Sequence, residues 1–467
     1  MSKNARKYED FLEMLLKNGT TLILSPSRIE RVDLRVRGRS VVAKAKTLRP
    51  MKGEETVDLS DRLIMPGMVN AHTHLYSALA RGMPAPKQSP ETFLEILKKI
   101  WWKLDESLDE ESIYYSALVG SMDAIRNGTT TLMDHHSSPN YIMESLDAIA
   151  DAMLRVGIRG ILCYETTDRG GRKRRDAGLD ENERFLNRYR NHALLRGIVG
   201  AHASLTLNDD TMQTLGEMSR RYDCGVHIHV AEDKADVLDA PRRSLTAHDF
   251  SRGKIHVKRN PRTVSTVSSH LVKRLERFGL LSPQSILAHG VHLSQSELKR
   301  IEAAGAWLVH NPRSNMNNAV GYAPLQWFGE QAALGTDGFP ADMFEECRMG
   351  FFRNQESGHR VAFDRLPDML HAGQRLAGSF FQQEFGTLAV GSAADLIVLD
   401  YLPPTPLHAN NLAGHFLFGI NSRMVVHSMV NGQWAMFNRQ LVGIDEEKVM
   451  KEAALVASKL WKRVTQR

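Results

Sequence analysis

Between residues 65 and 340 the chain repeats one pattern: a helix-length amphipathic segment, a short β-branched run, then a His, Asp or Glu within a residue or two of the run's end. Alternating helix and buried strand calls for a parallel sheet with helices packed on its faces. About eight such strands predict an α/β fold of the (β/α)8 TIM barrel type, in which all the strand ends open on one face, where active sites are built. The first strand is Met65-Pro66-Gly67-Met68-Val69-Asn70-Ala71-His72-Thr73-His74. The next runs are 129–133, ending in Asp134-His135-His136; 160–164, ending in Glu165; and 195–200, ending in Ala201-His202-Ala203. They are followed by 226–230 with Glu232 just beyond, 285–288 with His289, 306–309 with His310-Asn311, and 332–334 with Thr336-Asp337. Helices are expected over 142–156, 181–190 and 209–222, and one that stops at Gly128.

Outside this region the text is different. Residues 12–64 are short alternating runs broken by Asn-Gly, Ser-Pro and Gly, the marks of antiparallel strands. The same texture returns in 385–444, so the barrel (65–384) is expected to be inserted in a small composite β-sandwich domain built from 1–64 and 385–444, with a C-terminal helix over 445–467. Residues 1–11 read as an extension that adds nothing to it. A length of 467 residues suits a large barrel with a smaller domain better than three equal domains.

Composition excludes several classes. Only Cys163, Cys224 and Cys347 occur, far apart, which argues against a disulfide scaffold or a cysteine-rich zinc site and suits a reducing compartment. The first residues carry acidic groups where an export signal needs an apolar core, and no apolar run is long enough to span a membrane, so a cytoplasmic protein is expected. The net charge of +6 lies largely in two basic runs, Arg169 to Arg175 and Pro241 to Arg262. Without interleaved aromatics or a binding module these read as solvated loops, and no nucleic-acid partner is expected.

His72 and His74, two apart on one strand, share a face and can reach a single cation. With His229, His289 and Asp337 from other strand ends they form a candidate set of imidazoles and a carboxylate for a divalent metal, zinc first and iron as the alternative. A cation so held lowers the pKa of water from about 15.7 to about 7, giving a nucleophile for hydrolysis. Glu232, in His229-Val230-Ala231-Glu232, stands where a carboxyl would shuttle the protons that hydrolysis of an amidine carbon needs. Spacing alone leaves open whether His289 is a ligand or a partner of water.

Five segments in order, MPGMVNAHTHLYSALARG, HIHVAED, ILAHGVHL, LVHNPRSNMNNAVG and LGTDGFPADMFEE, resemble the amidohydrolase superfamily in its metal-dependent aminohydrolase and deaminase branch. WWKLDESLDEESIYYSAL, MDHHSSP, CYETTDRGG and NLAGHFLFG are most similar to the SsnA-type aminohydrolases. The resemblance implies that His72, His74, His229 and Asp337 bind one metal, that Asp337 also accepts a proton, and that His289 orients water or substrate. Dinuclear relatives carry a carboxylated Lys after the fourth strand; this chain has Gly200-Ala201-His202-Ala203-Ser204, so one metal is expected. His202 and His136 are expected to contact substrate, Tyr76, Arg81, Trp101 and Trp102 to wall a flat heterocycle, His310 and Asn311 to brace the seventh strand end, and His227 to be buried and hydrogen-bonded.

The expected function is therefore hydrolysis of a C–N bond of a nitrogen heterocycle, a deamination, by attack of a metal-bound hydroxide, in a homo-oligomer, a dimer by default. A triazine-type chlorohydrolase or cyclic-amide hydrolase on the same metal site is one alternative; a non-catalytic metal-containing accessory protein is another. Residues 234–270 read as a long basic loop beside Glu232.

Overall fold

The computed structural model describes residues 13–244 and 264–467. The expected extension at 1–11 and most of the basic run Pro241 to Arg262 lie outside the described residues. Strands β1 (Glu13–Lys17), β2 (Thr20–Leu24), β3 (Ser27–Arg31), β4 (Asp33–Arg37), β5 (Ser40–Ala45), β6 (Glu55–Asp58) and β7 (Leu63–Pro66) open the chain. The parallel strands follow: β8 (Met68–Thr73), β9 (Thr129–His136), β10 (Arg159–Tyr164), β11 (Leu195–Gly197), β12 (Val199–Ala203), β13 (Val226–Val230), β14 (Ile286–His289), β15 (Trp307–His310) and β16 (Ala332–Leu334). β17 (Leu396–Leu399), β18 (Val425–Val430), β19 (Gln433–Phe437) and β20 (Gln440–Leu441) close the strand list.

The parallel strands run as two hydrogen-bonded series, β11-β10-β9-β8 and β12-β13-β14-β15-β16. β11 and β12 are separated only by Ile198, whose N–H donates to the Leu162 carbonyl at 3.1 Å, and a parallel bridge joins Thr166 to Ala201. At the other end a parallel bridge joins Thr73 to Asp337, and Asp337 N–H donates to the His72 carbonyl at 3.0 Å. Helices between the strands include Glu110–Arg126, Ser145–Val156, Asp209–Tyr222 and Gln295–Ala303, each capped by local chemistry where its sequence supplies it. The Asp109 side chain accepts from Ser112 N–H, and the Ser294 side chain from Glu297 N–H; both ends are capping boxes.

Two helix boundaries differ from the pattern reading. The helix expected over 181–190 runs Arg172–Arg188, so the basic run after Gly171 is its first turns and not a loop. Arg, Lys and Ala are strong helix formers, and their charge had hidden that propensity. The stretch after Glu232 likewise begins as a helix, Lys234–Ser244, and ends in another, Val264–Arg277.

The antiparallel part has a four-stranded sheet, β5-β4-β1-β6, and a seven-stranded sheet, β20-β19-β18-β17-β7-β2-β3. Strands from both ends of the chain share the second sheet: β17 pairs antiparallel with β7, Leu396 opposite Pro66 and Leu399 opposite Leu63. One apolar cluster between these sheets draws on Met14, Leu16, Leu34 and Ile64 from the first residues and Leu396, Val398 and Met429 from the last. No helix among the described residues is long and apolar enough to cross a membrane.

Candidate active site

The strand ends bring His72, His74, His229, His289 and Asp337 together. The short strands leave these side chains on one face, and the chain turns sharply after each: Ala231, His289 and Asp337 have φ of +51°, +76° and +54°. Left-handed backbone at non-glycine residues is uncommon and concentrates at functional sites. Gly335, before Thr336 and Asp337, is forced by packing, since a Cβ there would sit 2.5 Å from Asn311 Oδ1 and 2.8 Å from the His72 carbonyl.

Each imidazole has one nitrogen committed outward. His74 Nδ1 donates to the His135 carbonyl at 2.5 Å, His229 Nδ1 to the His202 carbonyl at 2.8 Å, and His289 Nδ1 to Asn315 Oδ1 at 2.9 Å. His72 Nδ1 is 2.8 Å from Nε2 of the buried His227. The Nε2 atoms then face inward: His74 Nε2 lies 3.2 Å from His229 Nε2 and 2.9 Å from Asp337 Oδ1, and His72 Nε2 lies 3.6 Å from the same oxygen. His72 Nε2 and His289 Nε2 are buried without a hydrogen-bond partner. Potential ligand atoms of His72, His229, His289 and Asp337 all lie within 4.8 Å of one another. Bare lone pairs turned toward each other in a buried space are costly unless a cation sits among them, and imidazoles oriented by a bond from the far nitrogen are how proteins hold one. The residues present fit a divalent metal.

Ser314 Oγ donates to Asp337 Oδ2, and Asn318 Nδ2 donates weakly to Glu232 Oε1 at 3.4 Å and to Ser314 Oγ at 3.3 Å. One helical turn, Pro312–Asn317, and the residue after it thus reach Asp337, His289 and Glu232. The sequence expectation does not single out Ser314, Asn315 or Asn318; it assigns His310 and Asn311 to the seventh strand end, where His310 Nδ1, Asn311 Oδ1 and Asn311 Nδ2 are buried without hydrogen-bond partners.

A cavity opens over His74, His229 and Asp337, and Glu232 lines it as well. The Glu232 carboxyl is pushed up to about 7 by burial, and its Oε2 lies 3.6 Å from His289 Nε2. Tyr76, Trp101, Trp102 and His202 line the same cavity. His136 does not: it is buried behind Tyr76, rings 5.7 Å apart, with Nε2 bonded to Ser138 Oγ at 2.8 Å. Arg81 pairs with Asp123 at 2.5 Å and lines an adjoining pocket together with His74, Trp101 and Asp337. Glu165, a strand-end residue to which the sequence assigns no role, and Asp105 also line the cavity. Burial pushes the Asp105 carboxyl up to about 8, and the Glu165 carboxyl accepts from Arg169 Nη2 at 2.9 Å.

A model of the amidohydrolase family matches residues 63–435. The chain belongs to the amidohydrolase family. Among its relatives, 5-methylthioadenosine/S-adenosylhomocysteine deaminase of Caldanaerobacter subterraneus subsp. tengcongensis is 28% identical over 464 residues, 96% of this chain and 99% of the relative. A 5'-deoxyadenosine deaminase of Methanoregula boonei is 30% identical, covering 88% of this chain and 87% of the relative. Among solved structures, an adenosine deaminase from Xanthomonas campestris with bound zinc superposes with a TM-score of 0.80 at 21% identity, covering 98% of this chain and 99% of that one. An atrazine chlorohydrolase from Arthrobacter aurescens complexed with zinc gives 0.76 at 19% identity, covering 95% of this chain and 100% of that one. At those identities the structures establish this amidohydrolase's fold alone.

Proposed function

We propose that this amidohydrolase is a metal-dependent aminohydrolase that removes an amino group from a nitrogen heterocycle, with adenosine-like rings the first class to test. The observation that carries the reading is the approach of His72 Nε2 and His74 Nε2 to Asp337 Oδ1, with His229 Nε2 beside His74 Nε2, at a cavity that Glu232 also lines. We assign His72, His74, His229 and Asp337 to one divalent metal, zinc in the first instance and iron as the alternative. The absence of a Lys after the fourth strand, where His202 stands, supports the count of one. A cation there supplies Lewis acidity and brings water's pKa to about 7.

The protein's own groups do the rest. Glu232, its carboxyl pushed up to about 7, can hold a proton at neutral pH and pass it to a ring nitrogen or a departing amine. Asp337, held on one oxygen by Ser314, keeps the other for the cluster and for a proton from water. His289, its Nδ1 bound to Asn315, offers Nε2 to orient water or the reacting carbon. Tyr76, Trp102 and His202 are assigned to the substrate, whereas His136 backs Tyr76.

The same reading takes the two parallel series as one closed (β/α)8 barrel, supported by the bridges at Thr166 and Thr73, inserted in a β domain formed by 1–64 and 385–444 and followed by helix 445–467. A cytoplasmic homodimer completes the proposal; three buried free cysteines support the compartment. Deaminase relatives at higher identity than the chlorohydrolase weigh against a halide leaving group. The test is ammonia release from a heterocycle panel by metal-replete protein beside Glu232→Gln, with metal analysis of both. Undiminished activity in the variant with metal retained would refute the role of Glu232.

A further inference from the structure

Two bonds fix which nitrogen of His202 carries hydrogen. Its Nδ1 lies 2.7 Å from Thr206 Oγ1, and that hydroxyl lies 3.0 Å from the Ala203 carbonyl. A hydroxyl has a single hydrogen to give. Given to His202, it would leave the Thr206 oxygen facing the Ala203 oxygen with nothing between them. Given to Ala203, it leaves a lone pair for His202 Nδ1–H, and both contacts become hydrogen bonds. His202 Nε2 stops 3.6 Å short of the Glu165 carboxylate, a gap that a ring carrying hydrogen on both nitrogens would close to a hydrogen bond, so the ring shows a bare Nε2.

Beside that nitrogen stands Glu165, a buried carboxylate on the same cavity. Its Oε1 accepts from Arg169 Nη2 at 2.9 Å and lies 3.6 Å from His202 Nε2, beyond a hydrogen bond. Ionised carboxylates only accept. One wall of the cavity therefore carries two adjacent acceptors, His202 Nε2 and Glu165 Oε1.

We propose that this wall selects heterocycles that turn a ring N–H toward His202 and Glu165, the edge of a lactam or guanidine-type ring, over those offering only bare ring nitrogens there. The inference rests on the aminohydrolase reading only in calling the ligand a substrate. It sets this chain apart from what an adenine ring alone presents, since every unsubstituted ring nitrogen of adenine, once its N9 is blocked, is an acceptor. Glu165, His202 and His229 also lie within 4.8 Å, a spacing open to a cation. Against a cation, Arg169 already places its positive charge on Glu165, and His229 Nε2 is turned to His74.

The experiment is calorimetric binding to metal-loaded protein carrying Glu232→Gln, which slows turnover, with two ligand pairs. 9-Methylguanine and 9-methyl-2-aminopurine share one amino group and differ in a lactam, a ring N–H with its adjoining carbonyl; so do 9-methylisoguanine and 9-methyladenine. The N–H member of each pair is expected to bind about 10- to 100-fold more tightly. Thr206→Val, which frees the ring to change tautomer, is expected to bring the ratio within about threefold, and Thr206→Ser to restore it. Equal or reversed ratios, no binding by any of the four, or a second retained equivalent of metal overturns the proposal. Ammonia release is measured separately on the unaltered chain: none from any ligand while the preference persists removes the aminohydrolase reading and leaves the recognition standing. Release with acceptor-edged rings favoured does the reverse.

Discussion

The two ends of the parallel strands are built on opposite terms. At their starts, the buried Arg159 guanidinium gives Nε to Asp395 Oδ2 at 2.9 Å, Nη2 to Asp395 Oδ1 at 3.0 Å and to Asn431, and Nη1 to the Ala193 carbonyl at 2.7 Å. Phe381 and Phe385 cover it, at 4.6 and 5.1 Å. At their far ends, His72 Nε2 and His289 Nε2 are as deeply buried and bond to nothing. A buried polar atom without a partner costs free energy, so the fold tolerates at one end what it forbids at the other. The difference teaches where stability was given up for chemistry: substitutions at the starts of the strands should change unfolding, and those at the ends should change turnover.

The comparison breaks most severely if the second half fails. Asp337→Ala is expected to strip metal and reduce activity below detection, while chemical denaturation shifts little; elemental analysis and a urea titration read both. Glu232→Gln should keep the metal and lower kcat by about 10²- to 10⁴-fold, the usual worth of a positioned acid or base. A large loss of unfolding free energy in either would mean that the strand ends carry stability after all. Ser314→Ala, which removes one donor from Asp337, is expected to cost about tenfold in metal affinity or kcat, as supporting groups behind a ligand do.

At the other end, Asp395→Ala leaves Arg159 buried and uncompensated, and about 3–5 kcal/mol of stability should disappear with kcat of the folded fraction unchanged. Joint replacement, Arg159→Met with Asp395→Leu, sharpens the contrast: a buried pair exchanged for apolar side chains of similar size is often neutral, so most of that loss should return. If the double variant stayed as unstable as the single one, the pair would be fixing the junction of β17 and the parallel strands, through Gly67 N–H to the Asp395 carbonyl at 2.9 Å, and not merely satisfying itself.

How much of this could be read in the residues follows the same division. His72 and His74 were legible because alternation along a strand fixes their common face without reference to any other segment, and Asp337 and His229 because short apolar runs mark their strands. Arg159 and Asp395 meet across 236 residues and nothing in either neighbourhood announces the other. Ser314, Asn315 and Asn318 sit in a polar stretch whose composition is that of a loop; only the turn of helix after Pro312 aims them at three different groups. The basic run at Arg172 was misread because charge and helix propensity point to different conclusions and packing decides between them.

The smallest expected effect comes from the part of the cavity that is least like either end. Trp101, Trp102 and Asp105 come from a helical segment over 93–105 that widens to a π turn at Leu97–Trp101, a distortion that often marks functional positions. The Trp102 indole is covered by the Arg169 guanidinium at 4.5 Å, and its Nε1 is buried without a partner. Its contribution is then area and a cation above the ring, worth about 0.5–2 kcal/mol where partly desolvated, and not a group that moves protons. Trp102→Ala should therefore raise KM by about three- to tenfold and leave kcat within about twofold, because binding lost equally from substrate and transition state changes only KM. A fall in kcat with KM unchanged would place the indole against the reacting atoms and would extend the strained, unsatisfied character of the strand ends to a wall that is otherwise ordinary packing.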